Sequence, residues 1–195
     1  MELWDAYTAK VEKTGETLIR GQQIPNGLFH LVAEAIIQAQ DGSVLFMKRD
    51  SHKPIYPNYY EASAGGSVLK DEISLTAIKR EMHEETGLSP QSVTFLSETV
   101  VPEEFSIYHN YYAFYDGDKS IVTLQEGETT EWRWIAPEEV PDFLDIERVI
   151  PKQKELLTHY LHTKQWEIKK KRSKLLGLLL LLLRVESLHV FFRKS

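Results

Sequence analysis

The chain of 195 residues contains no cysteine. Disulfide bridges, thiolate metal sites and cysteine nucleophiles are therefore excluded together. Positive charge is also scarce, with 23 lysines and arginines against 29 aspartates and glutamates, a formal net charge of −6. That balance argues against general affinity for nucleic acid through its phosphate backbone. The first residues, MELWDAYTAKVEK, lack a basic start followed by an apolar stretch, so no secretory signal is visible and a cytoplasmic location is expected. No internal repeat and no second domain are evident. What is present, 42% hydrophobic and 27% charged residues, is the composition of a soluble globular protein with the length of one ordinary domain.

Three regions are expected. Residues 1–27 read as an N-terminal extension or hairpin: a strand at Leu3–Tyr7, a turn at Lys13-Thr14-Gly15, a second strand at Thr17–Arg20, and Pro25-Asn26-Gly27 as closing turn chemistry. Residues 28–165 form the main domain. His30–Ala39 is dense in β-formers, Asp41-Gly42 signals a hairpin, and Val44–Lys48 is its return strand. A proline-containing loop follows over 50–58. A helix is expected from Ser74, as N-cap, to Gly87, as the glycine that ends it. Strands at Gln91–Val101 and Ser106–Tyr115, an acidic connection over 116–131, a strand at Trp132–Ile135, a helix start at Ala136–Glu139 and a last helix opened by Pro151 complete the domain. The result is a mixed sheet of an α/β protein with one helix inserted mid-chain.

Residues 166–195 differ in kind: Lys169–Lys174 is basic, and Leu175–Leu183 is eight leucines and one glycine. Nine helical residues extend about 14 Å, against ~30 Å of bilayer hydrocarbon, so this run does not span a membrane as a helix. Three readings stay open: a terminal helix packing on the body or on a second copy of the chain, as in a homodimer; a basic-hydrophobic membrane-surface anchor; or a non-native end to the coding sequence.

Chemistry concentrates in Gly65–Leu88, GGSVLKDEISLTAIKREMHEETGL. Glu81, Glu84 and Glu85 stand three and four residues apart, which puts them on one edge of a helix, within an arc of roughly 100°. Leu75, Ile78 and Met82 fall on the adjoining arc and give the helix an apolar side to bury. Like charges that close repel unless a cation lies between them. Three carboxylates on one edge of an anchored helix outline a metal site.

The same stretch carries the pattern G-x5-E-x7-R-E-U-x-E-E-x-G-U, with U an apolar residue, filled without a gap by Gly66, Glu72, Arg80, Glu81, Met82, Glu84, Glu85, Gly87 and Leu88. On these nine positions the chain resembles the Nudix hydrolases. The resemblance covers about residues 28–145 and implies an α/β/α sandwich with a mixed central sheet and the catalytic loop–helix mid-chain. It also implies hydrolysis of a pyrophosphate bond in a nucleoside diphosphate linked to another group, with Mg²⁺ or Mn²⁺, in more than one copy, as cofactor. A polyanionic substrate and an acidic protein need such cations between them. By resemblance Glu84 and Glu85 are the principal metal ligands. Glu81 is a further ligand or the general base, and the Gly65 carbonyl supplies one more oxygen. Arg80 and Glu72 orient the glutamates, with Gly66 and Gly87 as structural members of the motif. A further acid from a loop before the late tryptophan strand is Glu128, with Glu131 as runner-up. An alkaline optimum is expected, because a carboxylate base and an ion-associated water both favour the deprotonated state.

Other residues carry two readings each. Tyr108, Tyr111, Tyr112, Phe114 and Tyr115 read as cross-strand packing ahead of a base-stacking surface. His30 reads as a strand-end histidine and His83 as a rim residue; Arg49, His52 and Lys53 read as surface charge or phosphate contacts. Trp4-Asp5-Ala6-Tyr7, Lys13-Thr14-Gly15 and His30 look like the subgroup related to isopentenyl-diphosphate isomerase. The isomerase's cysteine is absent, with Ala62-Ser63-Ala64 in its place, and Ser67 stands where its metal-binding histidine would be. Hydrolysis is thus favoured over isomerisation. A non-catalytic nucleotide-binding module of the same fold is the alternative, and the complete set of glutamates weighs against it.

Overall fold

The computed structural model describes residues 1–161. The basic and leucine-rich tail, the boundary drawn at 165 and the three readings of the tail lie outside the described residues. Residues 1–154 form one compact unit. Its centre is β3 (His30–Ala39), whose burial alternates along most of its length. On one side β3 pairs in parallel with β8 (Ser106–Tyr115) from His30↔Ser106 to Ala39↔Tyr115. On the other it pairs antiparallel with β6 (Ala64–Ser67). The sheet continues through β7 (Ser92–Val101) beyond β8, and through β4 (Val44–Arg49), β5 (Tyr60–Glu61) and β9 (Thr129–Ile135) beyond β3. It is a mixed sheet, as expected.

The Asp41-Gly42 turn forms, with Gly42 at φ +88°, but the hairpin it opens is short. Only Gln38↔Val44 pair across β3 and β4. After that β4 turns away to lie between β5 and β9. The splay leaves the flank of β3 to the glycine strand β6, and this places Gly65 and Gly66 beside the helix that follows. Strand β9 also begins at Thr129, three residues before the sequence expectation, so Glu131 belongs to a strand and Glu128 to the loop before it.

Helix α1 (Ser74–Thr86) buries Ala77, Ile78 and Met82 against the sheet. Ser74 is its first residue and not its cap: Ile73 holds that position with no side-chain bond. The Ser74 hydroxyl lies 2.7 Å from both His109 Nδ1 and the Tyr111 hydroxyl, tying the helix start to β8. Gly87 ends the helix at φ 72°, its N–H donating to His83 O. Helix α2 (Val140–Ile146) begins after the Ala136–Glu139 turn, not at it. Its Phe143 packs on Phe46 and Tyr60. Residues 151–161 are helical, as Pro151 foretells. Tyr108, Tyr111 and Tyr115 are buried in the sheet, the packing reading of that cluster.

Residues 1–27 form a hairpin of β1 (Leu3–Tyr7) and β2 (Lys13–Ile19). The turn lies between Thr8 and Glu12, with Val11 at φ 62°, so Lys13-Thr14-Gly15 starts β2 instead of making the turn. The hairpin has a small core of its own in Trp4, Ala6 and Leu18, and it is bonded to the main domain. Tyr7 and Phe29 exchange backbone hydrogen bonds at 2.9 Å, and Leu3 O accepts from Lys70 N at 2.8 Å. The Trp4 and His30 rings stack at 4.4 Å.

Two outcomes follow from this packing. Met82→Ala empties a fully buried site and is expected to cost about 2–5 kcal/mol in a denaturant titration; a loss below ~1 kcal/mol would mean the helix face is less packed than described. Burial lowers the His30 pKa from 6.5, against a weaker opposing effect of the Phe105 carbonyl 3.2 Å from Nδ1. The unfolded chain therefore binds the proton first as pH falls, and stability drops below pH 6.5. His30→Gln should flatten that acid limb. Parallel stability–pH curves for wild type and variant would remove His30 from the account.

Candidate active site

The glycine strand and the acidic helix meet face to face. A methyl group on Gly66 would lie 2.3 Å from the Glu81 carboxylate, so any larger residue there would push that carboxylate from its present place. Gly65 is crowded by the neighbouring strand, where a methyl would sit 2.9 Å from Glu34 Cγ and 3.0 Å from Ala33 O. The Gly65 N–H donates to Glu85 Oε2 at 3.1 Å. Glu85 is buried, Glu81 largely so, and Glu84 and His83 are exposed. Arg80 binds the acids together: Nε and Nη2 reach Glu72 at 3.2 and 3.0 Å, and Nη1 reaches Glu81 at 2.7 Å and Glu84 at 3.2 Å. Glu72 in turn accepts from Leu69 N (3.1 Å), which fixes the loop between Gly66 and the helix.

Burial pushes the Glu85 carboxyl well above the usual carboxylate range, and the charges of Glu61, Glu81 and Glu128 push the same way. Burial also raises Glu81, with Arg80 opposing it. Glu61, buried on β5, is raised by burial although Arg49 lies 2.9 Å from it. Several carboxylates thus act on one another across a small volume with too little positive charge between them.

Glu81, Glu84, Glu85, Gly65 and Gly66 open into one cleft of about 910 Å³, which Glu128 and Lys53 also line. Lys53 is ion-paired with Glu128, and Arg49 also borders the cleft. Glu131 does not line the cleft: Arg133 holds it at 2.6 Å and Lys48 at 3.5 Å, on the face of β4 and β9 where Arg133 also meets the Tyr60 ring and Glu147. His52 is exposed and bonds Asp50. Two carboxylates near the site carry no motif: Glu61, and Glu34 on β3, whose Oε1 pairs with Lys152 at 3.1 Å while Oε2 is buried without a partner. The one available signal was a glutamate inside the otherwise apolar run of β3.

As the side chains stand, no three acids or histidines among the described residues enclose a position for a metal ion. Arg80 and Lys53 occupy the carboxylate oxygens instead. The donor set nevertheless fits a hard divalent cation. It is all oxygen, it includes a buried carboxylate whose one neutralising contact is an N–H, and it faces a strand whose glycines let the ligands approach.

The NUDIX domain family model matches residues 28–160. Among curated proteins, the uncharacterized Nudix hydrolase lmo0368 of Listeria monocytogenes is 35% identical over 144 residues, covering 72% of this chain and 83% of the relative. Escherichia coli K12 YfcD, also an uncharacterized Nudix hydrolase, is 27% identical over 133 residues, covering 62% and 67%. Among solved structures, DR0079 of Deinococcus radiodurans superposes with a TM-score of 0.66 at 20% identity, over 81% of this chain and 98% of that one. The NUDIX domain of Shewanella oneidensis NrtR, complexed with ADP ribose, gives 0.56 at 16%, over 71% and 88%. These two likenesses speak for the fold alone. With the motif in place along the cleft and the family model spanning most of the chain, this protein belongs to the Nudix family.

Proposed function

We propose that the protein hydrolyses the pyrophosphate bond of a nucleoside diphosphate linked to a second group, with Mg²⁺ or Mn²⁺ as cofactor. The observation that carries this reading is the electrostatics of the cleft. Glu81, Glu84, Glu85 and Glu128 border one space, and burial with mutual repulsion holds Glu85 far from its ordinary pKa. A folded protein tolerates that arrangement best when divalent charge enters it. Family membership and the ADP ribose bound by a distant NUDIX neighbour support the substrate class.

Glu84 and Glu85 are the principal residues to hold the ions, with Glu81, the Gly65 carbonyl and Glu128 as further oxygen donors. Such ions, when bound, neutralise phosphate charge and acidify a water. The chain's own residues do the rest. The Glu81 carboxylate, raised by burial, is the group to accept the water's proton, because a base poised nearer neutrality holds a proton better. Arg80 orients Glu81 and Glu84 through its fork to Glu72. Lys53 and Arg49 also line the cleft, where they offset the charge of Glu128 and Glu61.

Glu85→Gln is expected to lower turnover of nucleoside diphosphate derivatives roughly a thousandfold or more with the fold intact. A thermal melt supplies the second readout. Mg²⁺ at a hundredfold excess over Kd should stabilise wild type by ~2.7 kcal/mol and leave Glu85→Gln nearly unmoved. Near-normal turnover or an equal thermal shift in the variant would sink the metal assignment. The acid from the late loop is tested by contrast: Glu128→Gln should weaken Mg²⁺ binding, and Glu131→Gln should not. The reverse order would move the ligand onto β9.

A further inference from the structure

The β1–β2 hairpin lies outside the part of the chain that the family model matches. It nevertheless forms a wall of the catalytic cleft, through Glu2, Leu3 and Arg20. It also grips the loop between Gly66 and Glu72. Lys70 N donates to Leu3 O at 2.8 Å, Asp71 N to Asp5 Oδ2 at 2.8 Å, and Lys70 Nζ to Thr17 Oγ1 at 2.8 Å.

The positive charges around the cleft differ in how far they are already committed. Arg80 is shared among three glutamates, Arg49 is half enclosed with Glu61, and Lys53 is held by Glu128. Each of these cations is already committed to a carboxylate with limited exposure. The two on the hairpin side differ. The Arg20 side chain is 62% exposed and, among the described residues, its ion pair is with Glu2, a neighbour on the same hairpin, at 2.7 Å. Glu2, and more weakly Glu128 and Glu81, raise the already high Arg20 pKa. The Lys70 ammonium rests on a hydroxyl, and among the described residues it is the cleft's one lysine or arginine outside an ion pair. A polyanion entering this space meets its most available positive charge here. An exposed guanidinium offers a planar fork for two phosphate oxygens.

We propose that the hairpin is part of the substrate site, and that Arg20 and Lys70 bind phosphate oxygens of the substrate at the cleft's outer rim. This rests on the pyrophosphate reading above. The rim makes Arg20 and Lys70 affinity-setting residues, with no part in the chemical step. Because the hairpin also holds the motif loop, a purely structural role has to be separated from phosphate contact.

Binding of imidodiphosphate, a non-hydrolysable diphosphate, in the presence of Mg²⁺ is measured by calorimetry on the full chain. Thermal melts and ADP-ribose turnover are followed in parallel. Arg20→Ala and Lys70→Ala are each expected to weaken imidodiphosphate binding about 5- to 20-fold and to reduce its salt dependence. Melting temperature should hold in Arg20→Ala and fall only slightly in Lys70→Ala, which also loses its bond to Thr17, and the effect on ADP-ribose hydrolysis should fall on KM and not on kcat. Arg20→Lys should restore part of the affinity. Unchanged binding in both alanine variants, or a loss of kcat and melting temperature with binding intact, overturns the rim. Wild type that binds imidodiphosphate through these residues but turns over no nucleoside diphosphate derivative keeps the rim and removes the proposed reaction. Turnover with unaltered binding in the variants does the opposite.

Discussion

Between Gly66 and the Glu81 carboxylate there is no room for a single methyl group. That contact sets the rest of the site. A helix whose apolar face must bury Ala77, Ile78 and Met82 comes down on the sheet at one rotation only. At that rotation its acidic edge lies along β6. Two glycines in succession let the carboxylates reach the backbone, and Gly65 N–H meets Glu85. The glycine strand is available there because β4 leaves β3 after one pair of residues. The splay of two strands and the absence of two side chains together bring the carboxylates into a shared, poorly solvated volume.

Much of this was legible beforehand, for reasons that can be named. The strands β3 and β8 are long and apolar, and their limits follow from composition. The acidic edge of α1 follows from the 3.6-residue repeat, which needs no knowledge of the rest of the molecule. The Ser74 cap was misread because a serine before a helical run usually bonds the helix's own N–H groups; here two partners on β8 compete for its hydroxyl and win. Lys13-Thr14-Gly15 looked like a turn because glycine favours one, yet the turn formed earlier, with a valine at positive φ. Local chemistry ranks turn positions poorly when the register of the flanking strands selects among them.

What the chain order hid was convergence. Glu34 and Glu61 have no spacing relation to Glu85, and only the pairing of β3 with β6 and of β4 with β5 gathers them near it. Arg20 and Lys70 line the same cleft for the same reason: tertiary contacts between a hairpin and a loop distant in the chain leave no periodic trace. Glu128 and Glu131 were close to equivalent as letters. The start of β9 between them separates their surroundings, one in a loop at the cleft and one in a strand among arginine and lysine.

The parallel pairing of β3 with β8 has a consequence for how the molecule assembles. His30 and Ser106 lie 76 residues apart in the chain, and parallel strands gain nothing until the intervening segment is closed into a loop, a step whose entropy is spent before contacts repay it. That segment contains β6 and α1 entire. During synthesis α1 therefore follows the strands it packs on, β3 and β6, but precedes β8, whose His109 and Tyr111 hold its first residue. The bonds that fix the start of the helix thus wait for the closing of the sheet's midline, whereas the contact of Gly65 with Glu85 is made between elements close in the chain.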